Sequence, residues 1–232
     1  MTVTAFKSAR DLVPSRQAAA QVFERLREMI ISLQLVPGTV INRQALQQQF
    51  GLSSTPVRDA LMRLGEEGLV DVFPQSATRV SLIDVAKARQ AQFLRRAVEQ
   101  EAVRILCTVP DKDFLPELRD IIEQQRQAAG RHDLTVFYAL DRDFHRRIYE
   151  AASAPDLFTL VRQRSGHIDR LRRLNLPVAG KMQQIIRDHG LIVKAIAAGD
   201  TVKAQAHVRD HLSRSLAYSP ALKDKHPGYF TV

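Results

Sequence analysis

The chain has 232 residues, 45% of them apolar, which excludes a disordered chain and allows one large core or two smaller ones. Its formal charge of +9 and pI near 10.1 favour anionic partners. Residues 1–80 hold 9 Lys/Arg against 7 Asp/Glu, so the surplus lies mostly in the second half, where a solvated Arg-rich helical surface accounts for it equally well.

Residues 1–14 read as a loose arm ending at Pro14. From Ser15, the spacing of Val22, Leu26, Met29, Ile30 and Leu33 predicts a helix with one apolar face, stopped by Leu35-Val-Pro-Gly38. Asn42 suits the cap of a short helix over about 43–50. Gly51 then turns the chain, and Ser53 is expected to cap a third helix. Pro56 falls in its first turn, and Val57, Ala60, Leu61 and Leu64 form its inner face. The period drops to two over 69–73 and 78–82, which read as strands joined by Pro74-Gln-Ser-Ala77. Three helices and a hairpin within this length predict a winged helix-turn-helix over residues 15–82.

Beyond residue 83 the strand signals stop. Amphipathic helices are predicted over 84–106, 112–130, 133–152, 155–174, 181–198 and 200–218, with breaks at Pro and Gly. Short links between them predict an antiparallel all-helical bundle over 83–219, so the fold class is mainly α. Residues 220–232 read as a surface tail. Cys107, the single cysteine, lies in an apolar run and reads as a buried inert thiol. No signal peptide and no bilayer-length apolar stretch is evident, which predicts a soluble cytoplasmic protein.

The third helix carries the candidate DNA-reading face. Ser54, Thr55 and Arg58 share its exposed side, and a guanidinium matches the paired acceptors of guanine. Thr55 and the helix N-terminus suit a phosphate. Arg43 and Gln44 on the preceding helix are in reach of backbone or base, and the hairpin tip around Ser76, with Arg79 behind it, suits the flanking minor groove. An ion pair of Arg58 with Asp59 or Glu66 is the alternative use of that side chain.

Four residues of the second half suit a metal. Asp141 and His145 are four apart and share a helix face bordered by Phe137, Phe144 and Ile148. His189 lies on an inward stripe of Ile185, Ile186, Ile192 and Ile196, and His211 is flanked by Val208 and Leu212. A carboxylate and three imidazoles suit zinc or nickel, and four protein ligands leave positions for water or a ligand oxygen. A histidine on an apolar face is also a common hydrogen-bonded core residue, so the residues alone leave both readings open.

Three segments carry a resemblance: Gln34-Leu-Val-Pro-Gly38, Gly51-Leu-Ser-Ser-Thr-Pro-Val-Arg-Asp-Ala-Leu61 and Leu64-Gly-Glu-Glu-Gly-Leu-Val70 resemble the winged-helix signature of GntR-type regulators. The second half is similar to the FadR branch, with its all-helical ligand-binding (FCD-type) domain, so that the resemblance spans roughly residues 15–219. It implies a homodimeric repressor that binds a pseudo-palindromic duplex DNA operator and responds to a small carboxylate-bearing metabolite. Asp141-Arg-Asp-Phe-His145, His189 to Ile196, and His207 to Leu212 resemble the branch's metal-binding segments, which implies a divalent ion on Asp141, His145, His189 and His211. The same resemblance places Arg95 and His167 on the effector cavity, with Tyr138 and Arg164 as weaker candidates, while Glu99 offers Arg95 a structural partner one turn away. The family's usual basic residues are replaced here by Gln44 and Ser54, and its Arg-Gly wing turn by Ser76-Ala77. That implies fewer neutralised phosphates and a shallower salt dependence.

Rival functions remain at this stage. A metal-dependent enzyme would need a base or nucleophile at the open coordination position, and neither an HExxH nor a serine-based motif is present. A regulator sensing the ion itself would use the same four ligands. A purely architectural DNA binder would not need a polar-lined bundle.

Overall fold

The computed structural model describes residues 15–73 and 77–231. The expected N-terminal arm and the wing-tip residue Ser76 lie outside the described residues. The chain divides between Ser81 and Leu82 into two compact units.

The first unit opens with α1 (Ser15–Ile31), followed by β1 (Val40–Ile41), α2 (Arg43–Phe50), α3 (Ser54–Glu66), β2 (Val70–Val72) and β3 (Thr78–Val80). Helices α1 and α3 bury Val22, Leu26 and Ile30 against Ala60, Leu61 and Leu64, the stripes read from the sequence. The strands form an antiparallel sheet of order β1-β3-β2, with Val70 opposite Val80 and Val40 opposite Arg79. Strand β1 was not anticipated, since two residues carry no periodicity. Asn42 caps α2 by accepting from the Ala45 amide at 3.1 Å. Ser53 departs from expectation: its backbone is extended, as a cap requires, but its side chain makes no capping bond. A buried ion pair, Arg27 Nε to Glu67 Oε2 at 2.8 Å, ties α1 to the end of α3.

The second unit contains α4 (Val85–Thr108), α5 (Leu115–Gly130), α6 (Leu134–Ala151), α7 (Pro155–Arg164), α8 (Gly166–Asn175), α9 (Lys181–Ala197), α10 (Thr201–Ala217) and α11 (Ser219–Lys225). Asp84, Asp133 and Asp200 cap α4, α6 and α10 through their carboxylates. A core of Leu106, Leu118, Phe137, Phe144, Ile148, Ile192 and Ile196 lies between α4, α5, α6, α9 and α10. Cys107 is buried in it, and desolvation raises its thiol pKa. No helix among the described residues is long and apolar enough to cross a membrane.

Two expectations need correction. The single helix expected over 155–174 is two, α7 and α8, interrupted at Ser165, whose Oγ turns back to the Val161 carbonyl at 2.7 Å. A Ser-Gly pair favours such a break. The expected surface tail is instead packed: Leu222 and Phe230 are buried, and Phe230 forms a parallel bridge with Ile83. The Ile83 amide donates to the Tyr229 carbonyl at 2.7 Å, and the Thr231 amide returns a bond to Ile83 at 3.1 Å.

Candidate metal and DNA-binding sites

Helix α6 carries Asp141 and His145 inward one turn apart, α9 brings His189, and α10 brings His211. Their ligand-type atoms all lie within 4.8 Å of one another, and all four residues are buried. The sequence-derived set therefore converges. The outer nitrogen of each imidazole is engaged. His145 Nδ1 lies 2.7 Å from Glu99 Oε2, His189 Nδ1 2.9 Å from Gln125 Oε1, and His211 Nδ1 3.4 Å from Asp188 Oδ2. Each acceptor holds the proton on Nδ1 and leaves Nε2 with a lone pair.

Those lone pairs face one another. His145 Nε2 and His211 Nε2 are 3.3 Å apart, and His189 Nε2 is 3.7 Å from Asp141 Oδ1. The last two atoms are buried and unpartnered by protein. Converging lone pairs and an orphaned carboxylate oxygen are costly without a cation between them. The donor set and its outer partners fit a divalent ion.

The electrostatics keep the site in its ligating form. Burial lowers the His145 pKa to about 4, with the Arg95 charge adding to the effect. Burial and then His211 push His189 well below its usual value. Burial alone would raise Asp141, but Arg172, whose guanidinium bonds Asp141 Oδ2, and the histidines hold it below the usual carboxylate range. Glu99 is held at about 2 by Arg95 and His145 against the opposing effect of burial.

A small cavity, about 30 Å³, adjoins the cluster at Asp141 and His211. Phe137, Leu176, Ile185 and Leu212 form its apolar wall, and Arg172, Asn175, Lys181 and Ser215 its polar one, with Tyr138 also present. Arg95 and His167, expected on this wall, are elsewhere. Arg95 is buried with Nε 2.6 Å from Glu99 Oε1, and Glu99 in turn contacts His145. His167 accepts from the Asp84 amide at 3.1 Å through Nδ1, because the break at Ser165 sets the first turn of α8 against the start of α4. Arg164 is exposed on α7. Five residues later than His167 on the same helix, Arg172 takes the position facing the cavity.

Sequence reasoning missed Glu99 as an orienter, and it missed Gln125, Asp188, Arg172, Asn175 and Lys181 altogether. Gln125 had a readable signal: it interrupts the apolar stripe Leu118, Ile122, Ala129 and is fully buried.

In the first unit, Ser54, Thr55 and Arg58 are exposed on α3, with Arg43 and Gln44 exposed on α2. Arg43, Gln47, Ser54, Thr55 and Arg58 line a small cleft between the two helices. Arg58 approaches Asp59 at 3.6 Å while its side chain stays 66% exposed, so that pair leaves the guanidinium accessible. Arg43 is partly committed, donating to Thr78 Oγ1 at 3.1 Å.

Comparison with known proteins decides the family. Residues 18–80 match the model for bacterial regulatory proteins of the gntR family, and residues 90–214 match the FCD domain. The chain belongs to the GntR family. It is a DNA-binding transcription regulator with an FCD domain, not an enzyme. It is 36% identical to an HTH-type transcriptional regulator in an unstable DNA locus of Streptomyces ambofaciens, over 87% of each chain. It is 26% identical to the HTH-type transcriptional repressor RspR of Escherichia coli, over 87% of this chain and 88% of that one. The fold also resembles that of the E. coli regulator McbR/YncC, with a TM-score of 0.76 at 22% identity over 88% of this chain and 98% of the other.

Proposed function

We propose that this GntR-family regulator is a homodimeric repressor of the FadR branch, released from DNA by a small carboxylate-bearing metabolite that binds a divalent ion in the helical unit. Zinc is the ion best suited to one carboxylate and three imidazoles, with nickel second. Asp141, His145, His189 and His211 hold it. The observation that carries this reading is the pairing of every His Nδ1 with an acceptor while the Nε2 atoms and Asp141 Oδ1 converge on a common point beside a cavity. An effector carboxylate reaching from that cavity completes the metal shell, with Arg172 beside it. Arg95 steadies His145 through Glu99 instead of gripping the effector.

Ser54, Thr55 and Arg58 read the operator, Arg43 and Gln44 reach its backbone or a base, and the hairpin tip with Ser76 is assigned to the flanking minor groove. Two copies on a pseudo-palindrome supply the contacts that one winged helix lacks. A repressor role is supported by the likeness to RspR. The effector acts by binding the two DNA affinity states unequally.

The test pairs native mass spectrometry of the purified protein with DNA binding upstream of its own gene. One bound ion per chain in a dimer is expected, and release of DNA by small organic acids only when the ion is present. His189→Ala should abolish both ion and acid response and keep DNA binding. Acid-driven release persisting in that variant overturns the reading, and release by zinc alone favours the ion itself as signal.

A further inference from the structure

We infer that residues 227–231 form a strap that locks the start of the helical unit onto α8, and that an ion in the His cluster tightens this lock through α8. This rests on the metal site proposed above and adds a route from it to the residues that follow the DNA-binding unit. Ile83, the second residue of the helical unit, is fully buried, and both its backbone polar groups are taken. Its amide donates to the Tyr229 carbonyl at 2.7 Å, and its carbonyl accepts from the Thr231 amide at 3.1 Å. The next amide, that of Asp84, donates to His167 Nδ1 at 3.1 Å, while the Asp84 carboxylate caps α4. Leu222 and Phe230 close over Ile83, Ala91, Ile168 and Leu171, an apolar cluster separate from the main core. The strap, α8 and α4 thus all take hold of two successive residues.

Helix α8 joins this lock to the His cluster. His167, in its first turn, holds the Asp84 amide, and Arg172, five residues on, bonds Asp141. Its ten residues make a rod of about 15 Å. The helix is bounded by the break at Ser165 and by the turn after Asn175, so it can shift as one piece. In ion-free protein Asp141 Oδ1 has no protein partner, and the Nε2 atoms of His145 and His211 face each other at 3.3 Å. An ion bridging these ligands would fix Asp141, then Arg172, and with it α8 and the bond from Asp84. The strap makes that bond matter, because Phe230 holds Ile83 against Ile168 and Leu171 of the same helix. The gntR-family match ends at residue 80 and the FCD match covers residues 90–214, so the strap and the residues it holds lie outside both. The lock is therefore an addition of this chain to the shared architecture.

The test is hydrogen exchange of the full chain, followed at the Asp84 amide in chelator and in zinc. Zinc should slow that exchange by about tenfold or more, as tightening of a local opening requires. A chain ending at Lys225 keeps His167, the acceptor of this amide, and loses the strap. It should bind zinc with native affinity, measured against a chromophoric chelator. Its Asp84 exchange should become fast, and the same within about twofold with zinc and with chelator. Phe230→Ala is the milder variant, which should diminish the zinc effect part-way and keeps the test readable where the shortened chain folds poorly. Arg172→Met separates α8 from Asp141 with the strap in place, and there zinc should protect α9 around His189 but not Asp84. Zinc that protects the His cluster of the full chain without slowing Asp84 exchange overturns this inference and leaves the metal site standing. A zinc effect at Asp84 that stays undiminished in Phe230→Ala or in Arg172→Met overturns it as well. Absence of zinc binding by the full chain defeats the metal site and this inference together.

Discussion

Gln125 Oε1 lies 2.9 Å from His189 Nδ1, and both residues are fully buried. The amide holds the imidazole proton on its outer nitrogen and turns Nε2 toward Asp141. Gln125→Leu keeps the volume and removes the acceptor. It should weaken zinc binding by about ten- to a hundredfold, the usual effect of losing such an outer partner. Competition with a chromophoric chelator would measure this. An unchanged zinc affinity would show that the Phe144 ring, stacked on His189 at 3.8 Å between centroids, suffices to orient it.

Arg172 and the proposed ion would neutralise the same carboxylate. Asp141 bonds the Arg172 guanidinium through Oδ2 and presents Oδ1 to the histidines. In metal-free protein, Arg172→Met strands a buried charge and should cost about 3–5 kcal/mol of stability. Zinc would supply a new counter-charge, so the loaded variant should recover most of that loss. Thermal melts of the variant with zinc and with chelator should therefore diverge more than those of the native chain.

Much of this site was legible in the sequence, and the reason is geometric. Asp141 and His145 sit four apart on a stripe already apolar, and His189 and His211 interrupt similar stripes, so each inward face could be read on its own helix. Periodicity does not say which faces meet. Glu99 therefore looked like a local partner of Arg95 and Gln125 went unread, although both contact imidazoles, from α4 and α5. The misplacement of His167 has a different cause. A continuous helix through 155–174 carries its phase across Ser165, and the break there resets which residues of α8 face the cavity. Arg172 and Asn175, not His167, take that wall. The fate of residues 220–232 was hidden because a single bridge, Ile83 with Phe230, leaves no repeating pattern.

His167 is a pH-sensitive brace outside the metal cluster. Burial, assisted by the nearby Arg170 charge, lowers its pKa to about 4 from an ordinary 6.5. The unfolded chain therefore binds the proton more readily, and the contribution of His167 to stability is complete above about pH 6.5. It is lost as the pH falls toward 4, up to about 3 kcal/mol in all. Protonated, its Nδ1 could no longer accept from the Asp84 amide. His167→Asn retains an acceptor and cannot titrate. In chelator-treated protein its melting temperature should fall less between pH 6.5 and 4.5 than that of the native chain; parallel curves would contradict this account.

The proposed DNA-facing surface is less basic than the family signature implies, with Ser54 and Gln44 exposed where the family usually carries cations. Arg43, which could compensate, shares its guanidinium with Thr78. Ser54→Arg adds one phosphate-directed cation per subunit, so in a dimer it should steepen the slope of log affinity against log salt by roughly two. Arg58→Ala should behave differently. Arg58 is 66% exposed and bound only loosely to Asp59. Its loss should cost about 1–3 kcal/mol on the operator, with a much smaller loss on unrelated duplex, because a base contact carries sequence preference whereas a phosphate contact does not. Equal losses on both duplexes would reassign Arg58 to the backbone, and base reading would then fall to Thr55 and to Gln47 on the other side of the same cleft.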